Sequence, residues 1–534
     1  MPWSEKLLVV VLVAAFSFSL GQLAVSQLIS PYKHEKGVIA EGVVGHLRNL
    51  NPVFADFNET DRDLNELIFS GLVKYDPLHS DFIPDLAEKW ERSSNNLTYT
   101  FTLRSDALWH DGVPVTLDDV VFTFKEIIKN PGLRNPVIAN AFENVVIEKK
   151  VPNKITFTLP RVNSFFISYF TVGILPKHLL ADTAINNLEK SPFGQHPIGS
   201  GPYRLTSLKL AAKGDIADLT AFPQYYGPKP TIERLRLYTF PNETALIKER
   251  GALYALSKLS VAGEAEIISD GRFAAYHYTL NQFTALYFNT LNPILKDKRV
   301  RQALAMGLDK EPLIKMGEQR VDSLGLSDRH SEPQFTFTPT EAEKLLDVAG
   351  LKRDSKGIRT TSKGDPVTLN LLTYDKMPPD LAMNIASQWQ KLGIQVNIQS
   401  ANSDTFPTLA DERRFDILFI RQNLGYNRDV YPIFNSSQRE KSAGGNGGLN
   451  FANFKSFKAD ALTQALRKEK IFSLKQKLLA ELSVTITDET PVIFISTPVY
   501  SYALDTRIGP FTPTKLNFHS NRFQVLPYLT SPNL

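Results

Sequence analysis

The residues with the clearest capacity for chemistry stand together in one short run, Trp109-His110-Asp111-Gly112. A histidine beside an aspartate is a candidate for metal binding or for acid–base catalysis. The flanking residues predict an extended segment, in which adjacent side chains point to opposite faces. His110 and Asp111 therefore converge poorly on one ion or substrate, and we interpret the run as a structural turn.

Other signatures of catalysis or nucleotide binding each lack an essential part. The Gly-Ser-Gly run at 199–201 does not have the G-x-S-x-G spacing of a nucleophile elbow. The Gly-Gly-Asn-Gly-Gly run at 444–448 is not followed by the lysine and hydroxyl residue of a phosphate-binding loop. The nine histidines offer no i, i+4 pair, and the absence of cysteine excludes thiolate ligands and disulfides. We predict no enzyme, no catalytic residue, no metal site and no cofactor.

The elements around the turn are predicted from period and capping. Apolar and polar residues alternate from Thr98 to Arg104, which predicts a strand with one buried face. Thr116 and Asp119 have the spacing of a capping box, so a helix is expected to begin there. Val120 and Phe124 begin the apolar face of that helix.

Composition bounds the class of protein. A chain of 534 residues is too long for one ordinary core, so two or more domains are expected. Hydrophobic residues make up 43% and charged residues 22%, which is typical of a globular protein. A net charge of +4 without a basic stripe gives no reason to expect nucleic acid as a partner.

The N-terminus carries the signal for compartment. Residues 7–25 contain no charged residue, and Lys6 precedes them. An uncharged, mostly apolar run of about 19 residues is either a secretory signal peptide or a membrane anchor. Both alternatives predict an extracytoplasmic protein, and residues 1–36 are expected to form this segment with its linker.

Strands and helices alternate along most of the chain, which predicts an α/β fold. Residues 367–374 read as a strand, Asp380 as the cap of a helix that Gly393 ends, and residues 394–398 as another strand. This is a βαβ unit and predicts parallel strands. More antiparallel character is expected between about residues 75 and 190.

Seven blocks in series resemble family 5 of the extracytoplasmic solute-binding proteins, which serve peptide- and nickel-type ABC importers. They extend over nearly all of the chain after residue 38 and stand in the order of the family: Leu50-Asn51-Pro52, FSGLV at 69–73, IPDLAEKW at 83–90, TFTLRSDALWHDGVPVTLDDVVFTF at 100–124, PIGSGPY at 197–203, LYFN at 286–289, and RVRQAL at 299–304 with LDK at 308–310.

The resemblance implies an α/β, two-lobe, periplasmic-binding-protein-like (type II) fold with an extra α+β subdomain and the N-terminal hydrophobic helix. Lobe I would comprise 37–75, 196–275 and 490–534, the subdomain 76–195, and lobe II 276–489. The lobes would close around a ligand by hinge motion.

The resemblance also implies where the ligand is held. Peptide binders of the family hold the ligand's ammonium group with an acid in a segment resembling W-x-x-D-Y-x-D-P. The matching stretch gives the candidate ligand-binding residues Arg421, Gln422, Asn423, Gly425, Tyr426 and Asp429. Gly425 stands where the acid is expected. Three alternatives remain. Asp429 takes over the role of the missing acid, or Arg421 and Arg428 bind an anionic group of the ligand. In the third, both arginines are simply solvated.

We predict an exported binding protein that captures peptides in an interlobe cleft and delivers them to an ABC permease driven by partner ATPase subunits. It is expected to be monomeric and to contact the membrane through residues 7–25. The alternatives are a membrane-tethered sensor, a binder of a nickel complex or sugar, and an exported hydrolase.

Overall fold

The structure is a computed structural model that describes residue 32 and residues 35–133, 135–324, 335–375, 377–402, 405–426, 429–439, 448–469 and 471–530. The predicted hydrophobic segment at 7–25 and most of the glycine run at 444–448 lie outside these residues. Among the helices of the described residues, none is long and apolar enough to cross a membrane.

The strands of the described residues are β1 (Ile39–Val44), β2 (Val73–Asp76), β3 (Asp81–Pro84), β4 (Ala87–Arg92), β5 (Thr98–Leu103), β6 (Val146–Lys150), β7 (Lys154–Thr158), β8 (Tyr203–Lys209), β9 (Ile216–Ala221), β10 (Arg234–Phe240), β11 (Ala255–Leu259), β12 (Phe273–Leu280), β13 (Gln282–Phe288), β14 (Glu318–Arg320), β15 (Lys352–Arg353), β16 (Arg359–Thr360), β17 (Thr368–Tyr374), β18 (Gln395–Ala401), β19 (Ile417–Asn423), β20 (Val492–Asp505) and β21 (Lys515–Leu516).

The α-helices of the same residues are α1 (Glu59–Ile68), α2 (Leu117–Val121), α3 (Pro136–Phe142), α4 (Lys177–Leu180), α5 (Glu243–Lys248), α6 (Val261–Ile268), α7 (Lys298–Met306), α8 (Pro339–Val348), α9 (Pro379–Lys391), α10 (Phe406–Asp411), α11 (Tyr431–Phe434), α12 (Phe457–Lys468) and α13 (Phe472–Glu489).

One large mixed sheet connects two halves of the molecule. Its main path within the described residues is β18-β17-β19-β13-β20-β11-β1-β10-β9-β8. The long strand β20 belongs to both halves, because its first residues pair with β13 and its last residues with β11 and β12. The apolar cores divide at the same place. One unites residues of 39–280 with residues of 502–526, and two others lie within 283–495.

The predicted βαβ unit is confirmed, with a correction at its helix. Strands β17 and β18 pair in parallel, from Thr368 opposite Gln395 onward. The cap at Asp380 is wrong, because Pro378 precedes the helix and Asp380 lies in its first turn. The helix begins at Pro379. Proline suits this first helical position, because the N–H that it lacks would have no partner there. Gly393 follows the helix at φ +83°, as predicted.

The antiparallel region is confirmed as the sheet β4-β5-β7-β6. Tyr99, Phe101 and Leu103 are the buried residues of β5, so the predicted alternation holds. The Thr116–Asp119 capping box is present, and the chain continues from α2 into a π-helix at Phe122–Ile128. This segment is a packed scaffold.

The Gly-Ser-Gly run at 199–201 packs against the end of α1. A Cβ atom on Gly199 would lie 1.9 Å from the carbonyl oxygen of Ile68, which is backbone and cannot swing aside. The amide of Gly201 donates to the same carbonyl at 2.8 Å. The run is therefore a close-packed loop, as predicted, and it fixes the position of α1.

We expect Gly199→Ala to lower the free energy of unfolding by about 3 kcal/mol, because overpacked sites force the backbone to shift. Chemical denaturation followed by circular dichroism measures the change. The matched control is Gly251→Ala, where an added Cβ has no heavy atom within 4 Å. Equal stabilities of the two variants would contradict the close packing.

Candidate functional site

A cavity of about 260 Å³ lies where the first half of the chain meets residues 424–426 of the second half. Helix α1, strand β2 and the segment 168–173 form much of its wall, and the C-terminal residues Phe518 and Gln524 also line it. Its polar and charged lining side chains are Arg62, Asn65, Glu66, Lys74, Tyr75, Asp85, Asn135, Ser168, Tyr169, Thr171, Tyr426 and Gln524.

Helix α1 supplies one wall of the cavity through three polar side chains that are spaced to share one face. Arg62, Asn65 and Glu66 are three and four residues apart, so they share one face of the helix. Asn58 caps the helix by accepting a hydrogen bond from the Thr60 amide, which fixes where that face begins.

Two buried amide side chains of the cavity wall have atoms without a hydrogen-bond partner among the described residues. Asn65 is 7% exposed, and neither its Oδ1 nor its Nδ2 has a hydrogen-bond partner among the described residues. Asn135 donates from Nδ2 to the Val53 carbonyl at 2.9 Å, but its Oδ1 has no partner there either. An unsatisfied buried polar group costs about 1–3 kcal/mol, so a ligand that supplies the missing partners gains affinity.

The charges on the wall are unevenly compensated. Burial raises the pKa of both the Glu66 and the Asp85 carboxyl groups. Tyr226 donates its hydroxyl to Asp85 at 2.5 Å, and Gln524 donates to Glu66. Lys74 is half-buried on β2 and makes no salt bridge with the described residues, although its charge acts on Asp85. The cavity wall therefore includes one lysine that makes no salt bridge with the described residues.

Residues 424–426 close the cavity from the second half of the chain. Gly425 has φ +54°, and its amide donates to Asn423 Oδ1 at 2.7 Å. Asn281 Nδ2 donates to the Gly425 carbonyl at 3.1 Å, which ties the turn to the crossing between β12 and β13. A Cβ on Gly425 would lie 2.6 Å from the Phe518 ring. An acidic residue here would have to hold a left-handed backbone and displace the Phe518 ring.

Tyr426 lies at the centre of an aromatic contact between the halves. Its ring is 4.8 Å from Phe518, 5.2 Å from Tyr75 and 6.0 Å from Phe82, measured between centroids. Its hydroxyl accepts a hydrogen bond from Asn521 Nδ2. Because Tyr426 packs against residues of the other half, its position depends on how the halves meet. Tyr426 also lines the cavity, so the shape of the cavity depends on the same contact.

Of the six candidate ligand-binding residues, the structure brings Gly425 and Tyr426 to the cavity wall. Arg421 pairs with Glu318, and Gln422 accepts from the Tyr287 hydroxyl. Asn423 acts through the turn described above. None of these three lines the cavity.

Asp429 is also away from the cavity wall. Its carboxylate contacts Arg467 at 2.6 Å and accepts from the Tyr431 amide at 3.1 Å. Arg428 lies outside the described residues. The ligand contacts of these candidate residues stay a prediction.

The His110–Asp111 pair has a structural role. His110 accepts from the Gly199 amide at Nδ1, and its Nε2 lies 3.0 Å from the Gly201 carbonyl. Asp111 lies 2.8 Å from His178 instead. Within the described residues, no group of three or more histidine, cysteine or acidic residues is placed to hold a metal ion.

Burial lowers the pKa of His110 from its ordinary value of 6.5 to about 4. The unfolded chain therefore binds one proton more than the folded chain between these pH values, and stability falls as pH falls from 6.5 towards 4. We expect this group to remove about 3 kcal/mol over that window. Unfolding measured at pH 7 and pH 4 should show a smaller loss for His110→Gln than for wild type.

The exposed His196 provides the control for this pH effect. His196→Gln should keep the full wild-type loss of stability between pH 7 and pH 4. An unchanged pH dependence in His110→Gln would contradict a neutral, buried His110.

The chain is similar to known binding proteins in both sequence and fold. Residues 81–443, more than half of the chain, match the family model described as bacterial extracellular solute-binding proteins, family 5 Middle. The oligopeptide-binding protein AppA of Bacillus subtilis (strain 168) is 26% identical over 497 residues, 86% of each chain. The dipeptide-binding protein of Escherichia coli (strain K12) is 25% identical over 464 residues, 80% of this chain and 83% of that protein.

Solved structures share the fold. NikZ from Campylobacter jejuni, in complex with Ni(L-His), has a TM-score of 0.73 and 26% identity and covers 93% of this chain and all of its own. AppA from Bacillus subtilis, in complex with a nonapeptide, has a TM-score of 0.71 and 22% identity over 94% of this chain. The predicted α/β two-lobe fold and the predicted resemblance are confirmed.

Proposed function

Because the chain belongs to family 5 of the bacterial extracellular solute-binding proteins, we propose that it captures a peptide in the cavity between α1 and residues 424–426. It would then deliver the peptide to the permease of an ABC importer. The family consists of solute-binding proteins rather than enzymes, and its members act outside the cytoplasm. The observation that carries the proposal is the cavity itself, whose wall is drawn from both halves of the chain.

The named relatives support a peptide as the solute. AppA is an oligopeptide-binding protein and the Escherichia coli relative is a dipeptide-binding protein. The chemistry of the wall agrees, since the unpartnered Asn65 amide offers a donor and an acceptor, as a peptide bond requires.

We propose that the lobes divide as the sequence predicts, with lobe II at 276–489, lobe I around it and the subdomain at 76–195. Two crossings support a division of this kind, a few residues later than each predicted bound of lobe II: Asn281 separates β12 from β13, and β20 changes partners between Pro498 and Val499. Tyr426 and Phe518 are in contact here, and hinge opening about these two crossings would separate them.

The partners and the N-terminal segment belong to the same proposal. Delivery to a permease requires partner ATPase subunits, and we propose that the binding protein itself is a monomer. Residues 7–25 would direct export, either as a cleaved signal or as an anchor that also permits sensing. Mass spectrometry of the mature N-terminus distinguishes the two, because a cleaved signal leaves a protein without these residues.

Thermal denaturation with pooled ligands tests the peptide assignment. A ligand present at 100 times its Kd stabilises the folded state by about 2.7 kcal/mol. Pools of dipeptides and tripeptides should therefore raise the melting temperature, whereas a nickel–histidine complex and a sugar pool should not. Stabilisation by nickel–histidine or sugars, with no response to peptides, would overturn the proposal in favour of a non-peptide solute.

A further inference from the structure

We infer that the cavity selects a short peptide by its free C-terminal carboxylate, which Lys74 binds, and by its backbone amide, which the Asn65 side chain binds. This inference rests on the proposed function and names the ligand class for the same cavity. It places the charge recognition on lobe I, away from the 421–429 segment.

The size of the cavity favours a short ligand. Pockets for small molecules span roughly 300–1,000 Å³, and the 260 Å³ here is just below that range. A peptide of two or three small residues is of this order, whereas a long peptide would extend beyond the walls.

Lys74 provides the anion contact. Lys74 lines the cavity, is half-buried and lacks a salt bridge with the described residues, although its charge acts on Asp85. A partly desolvated charge attracts a counter-ion more strongly than one in bulk water does.

The other charged groups of the wall are already engaged. Asp85 accepts from Tyr226, and Glu66 accepts from Gln524 and Ser520. Arg62 stacks on Phe518, with its Cζ atom 3.9 Å from the ring centroid. Lys74 is therefore the cation of the wall that is best placed to bind a carboxylate from the ligand.

Among its described residues, 421–426 and 429, the 421–429 segment offers no acid at the place expected for an ammonium anchor. Gly425 lacks a side chain, and an acid there would have to displace the Phe518 ring. Asp429 is held by Arg467. Recognition by the carboxylate end of the ligand is consistent with both observations.

Asn65 supplies the neutral contact. A carboxamide can accept from the N–H and donate to the C=O of one peptide bond. Asn65 has both atoms unpartnered, and Asn135 adds a buried acceptor on the same wall. A solute without an amide would leave these groups unsatisfied, so the pair discriminates by chemistry as well as by size.

Native mass spectrometry and calorimetry on the full chain can test both contacts. The probes are a pool of dipeptides as free acids and the same pool as C-terminal amides. Wild type should bind the free acids at least tenfold more tightly than the amides. Lys74→Met should bring the free acids down to the affinity of the amides and leave the amides unchanged. The control Lys352→Met changes an exposed lysine far along the chain and should behave as wild type.

Asn65→Leu should weaken both pools at least tenfold, because both contain the amide. Melting temperatures without ligand establish that each variant is folded. Equal binding of acids and amides by wild type, or an unchanged preference in Lys74→Met, overturns the inference while the proposed function stands. Undiminished binding by a folded Asn65→Leu overturns the amide contact. Failure of wild type to bind either pool overturns the proposed function itself.

Discussion

Replacing Arg522 with methionine is expected to lower the free energy of unfolding by about 3–5 kcal/mol, the cost of leaving buried carboxylates without their partner. Arg522 is fully buried and contacts Asp63 through both terminal nitrogens at 2.8 Å and Glu41 through Nε at 2.6 Å. These contacts fasten the C-terminal segment to β1 and α1. Urea denaturation of wild type and Arg522→Met measures the difference.

A surface pair provides the control for Arg522. Arg414 lies 2.6 Å from Glu412, but both side chains are about half exposed. Exposed pairs contribute about 0–1 kcal/mol, so Arg414→Met should unfold close to wild type. A loss of less than 1 kcal/mol in Arg522→Met would show that the buried cluster does not hold the C-terminal segment in place.

Replacing Tyr426 with alanine is expected to weaken peptide binding about 30-fold, which corresponds to roughly 2 kcal/mol, the cost of losing an aromatic hot spot. Tyr426 lines the cavity and packs on Tyr75, Phe82 and Phe518 across the two halves. Its removal takes away ligand contact and interlobe contact together. Isothermal titration with a peptide that binds wild type measures the loss.

Tyr426→Phe separates the ring from the hydroxyl. It keeps the three aromatic contacts and loses only the hydrogen bond from Asn521, worth about 1 kcal/mol. Its affinity should stay within about fivefold of wild type. Wild-type affinity in a folded Tyr426→Ala would contradict the placement of the ligand beside this ring.

Much of the fold could be predicted because it depends on local patterns. The alternation in β5, the Thr116 capping box and Gly393 each act within a few residues, and all three are present as expected. The cap at Asp380 failed for an equally local reason, since the proline before it already begins the helix.

The cavity wall could not be predicted in the same way. Asn65 and Glu66 lie on α1 beside the apolar residues Leu64 and Leu67, and a polar face of such a helix is usually solvated. Here that face is covered by Gln524 and Ser520, more than 450 residues away in sequence. The one signal in the sequence for this part of the cavity wall was the pair Asn65 and Glu66, an amide next to an acid on an amphipathic helix.

Glycine at position 425, where the family pattern has an acid, has a physical explanation in the structure. By resemblance alone, a missing acid at this position leaves the ligand's ammonium group without its usual partner. In the structure, the left-handed backbone at φ +54° and the Phe518 ring explain why glycine occupies the position. That contact joins two segments almost a hundred residues apart, so no local pattern contains it.

The central claim is that a short peptide is bound between α1 and residues 424–426. A crystal structure of the protein grown with the dipeptide and tripeptide pool tests it most directly. We expect density for a peptide beside Asn65. The carboxylate of the peptide should point towards Lys74, and the Tyr426 ring should pack against the peptide. An empty cavity with peptide density elsewhere, such as along Arg421 and Asp429, would contradict it.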